Sequence, residues 1–334
     1  ETMGLEKGDY KQLHPNNDVN MAQSTNDAYP TAIRLGLLLG HDALLASLDS
    51  LIQAFSAKSL EFNHVLKMGR TQLQDAVPMT LGQEFSTYAV MLGEDEERLR
   101  EAALLIREMN LGATAIGTGI NAHPDYAAIV CRKLVEISGI PVLTAPNLIE
   151  ATQDCGSFVQ LSGVLKRVAV KLSKVCNDLR LLSSGPRAGF NEINLPPRQA
   201  GSSIMPGKVN PVIPEVVNQI AFEVIGNDTT VTFAAEAGQL QLNAFEPIIA
   251  HSLFKSVEHL AAGCRTLTAH CVVGITANRE LLAERVRTSA GLATALNPFL
   301  GYENATRVAQ EALRTGRGVA ELVEEMGLMT QAEL

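Results

Sequence analysis

Between Leu161 and Leu182 the apolar residues Leu161, Val164, Leu165, Val168, Leu172, Val175, Cys176 and Leu179 recur at the i, i+3, i+4, i+7 spacing of one helix face, while Lys166, Arg167, Lys171 and Lys174 take the other. This segment is predicted to be a helix turned toward a core. A second helix is predicted from the capping box Thr80-Leu-Gly-Gln83, which follows Pro78 and opens a stretch to Met109 with no proline and only Gly93 as an interior breaker. At ~1.5 Å per residue it would be about 45 Å long. Similar periodicity runs from Thr31 to Leu60 and from Pro214 to about Ile275, with interruptions expected near Gly226 and at Pro247. Several helices of this length, with few alternating β-branched runs between them, predict an all-α fold built on a long central helical bundle. The segments around Ile220 to Ala235 and Leu161 to Leu182 are apolar beyond what one chain's bundle covers, so an oligomer is expected to bury the remainder.

Three polar segments separate the helices: Gln23-Ser-Thr-Asn-Asp27, Gly69 through Asp75, and Arg187 through Asn210. Function in a helical scaffold usually resides in such loops. After Ile275 the composition changes, and the Asn297-Pro298 break and Gly316-Arg-Gly318 turn predict a small C-terminal helical module over 276–334. The chain opens on Glu1 and closes on Thr330-Gln-Ala-Glu333, the spacing of a capping box with little chain after it, so a fragment cut at both ends is expected.

Composition narrows the function classes. Hydrophobic residues make up 46% and charged residues 19%, the balance of a folded globular chain. No uncharged apolar run reaches the roughly 18 residues that span a bilayer, so no membrane partner is expected. Lys plus Arg number 27 against 36 Asp plus Glu, and the net charge of −9 has the wrong sign for a general nucleic-acid binder. The five cysteines are widely spaced, without C-x-x-C or Cys/His finger patterns. They fit reduced thiols in the cytoplasm, and no export signal is recognisable.

The segment richest in chemical groups is Gly201-Ser-Ser-Ile-Met-Pro-Gly-Lys-Val-Asn-Pro211. Its glycines permit unusual backbone angles, Ser202 and Ser203 offer hydroxyls, and Lys208 sets a cation beside the Asn210 amide, which together suit an anion. A phosphate-binding P-loop is disfavoured, because five residues separate Gly201 from Gly207 and Val209 stands where a hydroxyl should follow the lysine. An ordinary polar loop is the alternative reading of the segment alone. Ser24 and Thr25 read first as N-caps, although a helix N-terminus can also receive a carboxylate. Arg70 reads as a structural ion-pair partner, and Thr71 and Gln72 as ligand donors. Glu150, Asp154, Glu192 and Glu215 are carboxylates that could act as a base. The seven histidines are scattered and read as surface or capping residues, and H-E-x-x-H, G-x-S-x-G and G-x-G-x-x-G patterns are absent. No metal site is therefore expected. Gly112 through Gly119 reads as a turn where helices pack closely.

Taken together these segments resemble the aspartase/fumarase superfamily from end to end. The superfamily's signature loop stands here as Gly201-Ser202-Ser203-Ile204-Met205-Pro206-Gly207-Lys208-Val209-Asn210. Gln23-Ser-Thr-Asn-Asp-Ala-Tyr-Pro30 points to the aspartase branch, since fumarases usually have a Ser-Ser-Asn-Asp form. Met68 through Val77, Leu179 through Ala188 and Pro211 through Asn218 add support, with Gln72 standing where fumarases and some aspartases have His.

The resemblance implies a carbon–nitrogen lyase that reversibly eliminates ammonia from L-aspartate to give fumarate through an aci-carboxylate. The alternatives are a fumarate hydratase of the same superfamily and a non-catalytic helical assembly protein with its fold. Ser202 would be the base; Ser24, Thr25 and Ser203 would bind the β-carboxylate; Thr71, Lys208 and Asn210 the α-carboxylate; Asn26 and Gln72 the amine. No cofactor is required by the resemblance, with a divalent metal such as Mg2+ as an activator at most. It further implies a homotetramer with active sites shared among three subunits, residues 1–22 as the remnant of an N-terminal domain, 23–275 as the central bundle and 276–334 as the start of the C-terminal domain.

Overall fold

The computed structural model describes residues 3–334. Five long helices dominate it: α1 (Thr25–Glu61), α2 (Leu81–Ile106), α5 (Gly156–Leu182), α6 (Val212–Glu236) and α7 (Glu246–His270). Between α1 and α2 lies a hairpin of β1 (Leu66–Thr71) and β2 (Gln74–Thr80). Between α2 and α5 lie β3 (Glu108–Met109), α3 (Tyr126–Ser138), β4 (Leu143–Thr144) and α4 (Leu148–Ala151), with β3 and β4 parallel. β5 (Ile193–Asn194) pairs antiparallel with β6 (Thr276–Ala277), and α8 (Arg279–Thr288), α9 (Leu292–Ala295), α10 (Asn297–Thr315) and α11 (Val319–Glu325) follow; a π-helical turn at Pro15–Val19 and a 3-10 turn at Val272–Gly274 complete the described elements. The fold is helical, as the periodicity predicts.

Local chemistry explains the boundaries. All eight apolar positions read from the α5 periodicity are buried, and Arg167 on the opposite face reaches Asp95 at 2.9 Å. The Thr80 capping box forms in both directions: Thr80 N–H donates to Gln83 Oε1 at 2.9 Å and Gln83 N–H to Thr80 Oγ1 at 3.0 Å. The helix it opens ends at Ile106 rather than Met109, because Glu108 and Met109 are recruited into β3. Gly226 makes no break, since α6 runs through it; the chain turns instead over 237–245. Pro247 opens α7 rather than interrupting a helix, at the first turn where a missing N–H costs no helical bond. His41, expected at the surface, is buried because its Nε2–H bonds the Leu99 carbonyl at 2.9 Å.

The chain forms two compact units, each drawing stretches from all five long helices. The first comprises 1–47, 94–170 and 219–262. Its core includes Leu37, Leu44, Leu99, Leu161, Leu165, Val224 and Leu253, all buried. The Gly112–Gly119 turn is the close approach expected: at Gly117 (φ +95°) a Cβ would lie 2.3 Å from Ile149 Cα. The second unit comprises 48–93, 171–218 and 263–334. Phe55, Phe62, Phe85 and Tyr88 form its aromatic centre, with ring centroids 5.2–6.1 Å apart. A further cluster of Leu300, Val308, Val319, Leu322 and Val323 packs α10 on α11. α1 is long and apolar enough, by length and composition, to cross a membrane. Its apolar residues Ile33, Leu37, Leu44, Leu48, Leu51 and Phe55 are taken up by these cores, and it also buries Asp27 and Arg34.

One buried acid in the first unit has a consequence for stability. Glu246 is 8% exposed, and burial pushes its carboxyl up to about 7 against the pull of Arg34. Its native form thus holds a proton that the unfolded chain releases near 4.5. The associated stability is complete below that value and is lost as pH rises through about 7, a change on the order of 3 kcal/mol. Glu246→Gln is expected to flatten this loss in urea titrations at about pH 5 and about pH 8.

Candidate active site

The signature segment forms an exposed loop leading into α6. It is closed on itself: Ser202 N–H donates to the Lys208 carbonyl at 3.1 Å, and Lys208 N–H to the Met205 carbonyl at 3.1 Å. Gly207 makes the return possible at φ +83°. Met205 N–H donates to Ser202 Oγ at 3.2 Å, so a backbone dipole already aims positive charge at that oxygen. Such a donor favours the alkoxide over the hydroxyl. Ser202 is half-buried, whereas Ser203, Lys208 and Asn210 are exposed. Among the described residues Lys208 makes no ion pair and is available to an anion.

Lys208 and Asn210 share a cavity of about 720 Å³ with Arg180, Ser184, Asn191 and Asn194. Glu215 also lines it, 3.9 Å from the Arg180 guanidinium, which donates to Asn218 Oδ1 at 3.3 Å. Arg180 and the two asparagines were not singled out by sequence reasoning. Arg180 sits on the polar face of α5 like any solvated cation, and Asn191 and Asn194 lie outside every recognisable motif. Only the fold shows that they border the same space.

Thr71 ends β1, and Gln72 and Leu73 form the two-residue hairpin tip with φ +52° and +63°. Both central residues at positive φ define a turn usually built from Asn-Gly, which is why the hairpin was not readable from Gln-Leu. Gln72 is thereby held out into solvent. Behind the tip lies a buried charge cluster. Glu192 (1% exposed) meets Arg70 at 2.6 Å, Lys67 at 2.8 Å and Arg285 of α8 at 3.5 Å. Burial alone would raise its carboxyl, but the bonds from Arg70 and Lys67 outweigh it and hold the group below the usual carboxylate range. Arg70 also stacks 4.3 Å over Phe190. Arg70 is the structural ion-pair residue expected, and Glu192, weighed as a base, is its fully engaged partner.

Ser24, Thr25 and Asn26 belong to the first unit. Ser24 caps α1: Asn26 N–H donates to Ser24 Oγ at 3.1 Å, and Ser24 N–H donates to Asp27 Oδ1 at 2.9 Å. Buried Asp27 also takes Gly112 N–H at 3.1 Å and Thr114 N–H at 2.9 Å, pinning the glycine turn to the helix start. Ser24 and Thr25 line a second opening of about 460 Å³ with Asn16, Asn20, Gln23 and Tyr29. Asn26 Nδ2 donates to the Ala115 carbonyl at 2.8 Å. Its Oδ1, the atom that an ammonium group requires, is left without an internal partner among the described residues.

Four of the five cysteines are buried, and all are free thiols. Among the described residues no group of three or more His, Cys, Asp or Glu converges as a metal ion's ligands would.

Two family profiles match the chain: one described as "Lyase" over residues 1–226, and one described as "Fumarase C C-terminus" over 292–334. Aspartate ammonia-lyase from Pseudomonas fluorescens is 69% identical over the whole chain, which covers 70% of that protein's length. The aspartate ammonia-lyase of Escherichia coli is 56% identical over the whole chain and 70% of its own length. Among solved structures, the fumarate lyase:delta crystallin from Brucella melitensis bound to cobalt superposes with TM-score 0.96 at 56% identity, over 99% of this chain and 72% of that one. Class II fumarase from Schistosoma mansoni superposes with TM-score 0.91 at 36% identity, over 96% and 70%. The chain belongs to the lyase family of the aspartase/fumarase superfamily. Within that family, its identity of 56–69% over the full chain is to members named aspartate ammonia-lyase, a carbon–nitrogen lyase activity.

Proposed function

We propose that this chain catalyses the reversible elimination of ammonia from L-aspartate to give fumarate, with the loop from Gly201 to Asn210 as its chemical centre. The observation that carries the reading is the Ser202 hydroxyl, which receives the Met205 N–H at 3.2 Å in the same closed loop that places Lys208 and Asn210 on a common cavity. Ser202, as alkoxide, takes the proton from Cβ. The electron pair released flows into the β-carboxylate, which becomes an aci-carboxylate with two negative charges. Hydroxyls of Ser24, Thr25 and Ser203 stabilise this group best when it is most charged, each contributing about 3 to 4 kcal/mol. The intermediate then expels the amine from Cα as ammonia, Cα and Cβ become doubly bonded, and Ser202 returns its proton to solvent.

Lys208, Asn210 and Thr71 hold the α-carboxylate and fix the attack geometry. Asn26 Oδ1 and the Gln72 amide receive the amine, Gln72 supplying an amide where an imidazole would otherwise stand. The segments meet in a homotetramer whose sites each draw on three protomers. Phe222 and Phe233 on α6, 62% and 69% exposed, support such an assembly, because aromatic surface of this extent is ordinarily covered. A divalent metal acts at most as an activator, and none of these steps passes through one. The setting is cytoplasmic.

The direct test is fumarate absorbance formed from L-aspartate with none formed from L-malate; fumarate from malate alone would select the hydratase reading. Lys208→Ala is expected to raise KM for aspartate about 10- to 100-fold, the loss of one charge-assisted contact of ~1.5–3 kcal/mol. An unchanged KM would remove Lys208 from the carboxylate's binding set.

A further inference from the structure

The first unit holds another cavity, of about 420 Å³, that none of the steps above uses. Its size is within the ~300–1,000 Å³ usual for small-molecule sites. α1 and α2 run antiparallel beside it: the Arg34 guanidinium donates to the Leu105 carbonyl at 3.4 Å, and His41 Nε2–H to the Leu99 carbonyl at 2.9 Å. α1 presents Leu38, His41 and Leu45, spaced as one helix face; α2 presents Arg100 and Ala103, and Arg107 follows directly on its last residue, Ile106. The third side is the segment from Gly139 to Pro141, entered through a left-handed C-cap at the end of α3.

The charges of the wall are not equivalent. Arg100 pairs with Glu96 at 2.5 Å, and Glu101 with Arg98 at 2.9 Å. Asp42 lies on the rim with its side chain 85% exposed, 3.8 Å from His41 Nδ1. Arg107 differs: among the described residues its side chain has no ion-pair partner, and its Nε is buried with no acceptor. A buried donor without a partner is rare in folded proteins and marks a place where an acceptor is wanting. Arg100 lies about 10 Å back along the chain, roughly two turns before the end of α2. Between them the floor is apolar, with Leu38, Leu45 and Ala103 all buried.

We propose that this cavity binds a short-chain aliphatic carboxylate, with the carboxylate forked on the Arg107 guanidinium and the tail lying on Leu38, Leu45 and Ala103. The guanidinium fork matches a planar carboxylate with two parallel bonds, which selects an oxoanion head over a neutral one. The apolar floor selects a tail over a second charged group, and the acidic rim at Asp42 opposes a second anion there.

Hexanoate is the probe, titrated into the full chain by isothermal titration calorimetry. Saturable binding of one hexanoate per chain is expected, weakened at least tenfold in Arg107→Gln with an unchanged circular dichroism spectrum. Arg107→Lys, which keeps the charge but loses the fork, is expected to bind several-fold more weakly than the wild type, and it decides the matter should the glutamine variant fail to fold. Lys208→Ala is expected to bind hexanoate as the wild type does, which separates this cavity from the one beside the signature loop. No saturable binding, affinity indifferent to both Arg107 variants, or loss of binding in Lys208→Ala would each overturn the proposal. Inorganic phosphate binding as tightly as hexanoate would overturn its apolar half.

Discussion

Replacing Ser202 by alanine is expected to lower kcat for aspartate by about 10²–10⁴-fold, the usual contribution of a positioned base, while aspartate affinity changes little. The residue sits in the loop without packing into a core: its N–H and Oγ bond only to other residues of that loop, so the alanine variant should fold and assemble as the parent does. Two readouts separate base from binding residue. Initial rates of fumarate formation give kcat, and competition by a non-reacting dicarboxylate gives affinity. A variant that keeps its turnover number and loses affinity would reassign Ser202 to substrate binding and leave the reaction without its base. Cysteine at 202 provides a finer check. Its thiolate forms more readily than an alkoxide but is longer and softer, so a partial rescue with an acid-shifted rate profile is expected.

The second large effect is on stability. Glu192→Gln is expected to destabilise the second unit by about 3 kcal/mol, the lower end of the ~3–5 kcal/mol for breaking a buried ion pair. The lower end applies because Lys67 keeps Glu84 at 2.6 Å, and Arg70 keeps the Phe190 face. The pH dependence fixes the mechanism. A carboxyl held below its unfolded value contributes stability that is present above that value and disappears as pH falls through the folded one. The gap between wild type and variant should be full at neutral pH and close only in acid solution below the ordinary carboxylate range, as read by urea titration. A gap that stays constant even well below that range would assign the effect to packing rather than charge.

The long helices were legible because burial and spacing coincide: every apolar residue read from the α5 periodicity is in the core. The Thr80 cap was legible for a similar reason, since both of its bonds are local. The hairpin was not, because Gln72 and Leu73 take left-handed angles that their side chains disfavour and only long-range contacts enforce. His41 illustrates the same limit, as its burial depends on a carbonyl 58 residues away. For the candidate site, Ser202, Lys208 and Asn210 stood out because hydroxyls, a cation and an amide crowd into ten residues that also hold two glycines. Arg180, Asn191 and Asn194 did not, because their relation to Lys208 exists only in three dimensions.

The hairpin tip has a consequence for how such chains diverge. Its bend is imposed by the strand ladder and by the ion cluster at its base, not by what Gln72 itself prefers. The side chain at that apex is therefore an interchangeable tool on a rigid handle. A lineage can exchange an amide for an imidazole there with little architectural penalty, changing the chemistry that the tip offers while the surrounding framework stays as it was.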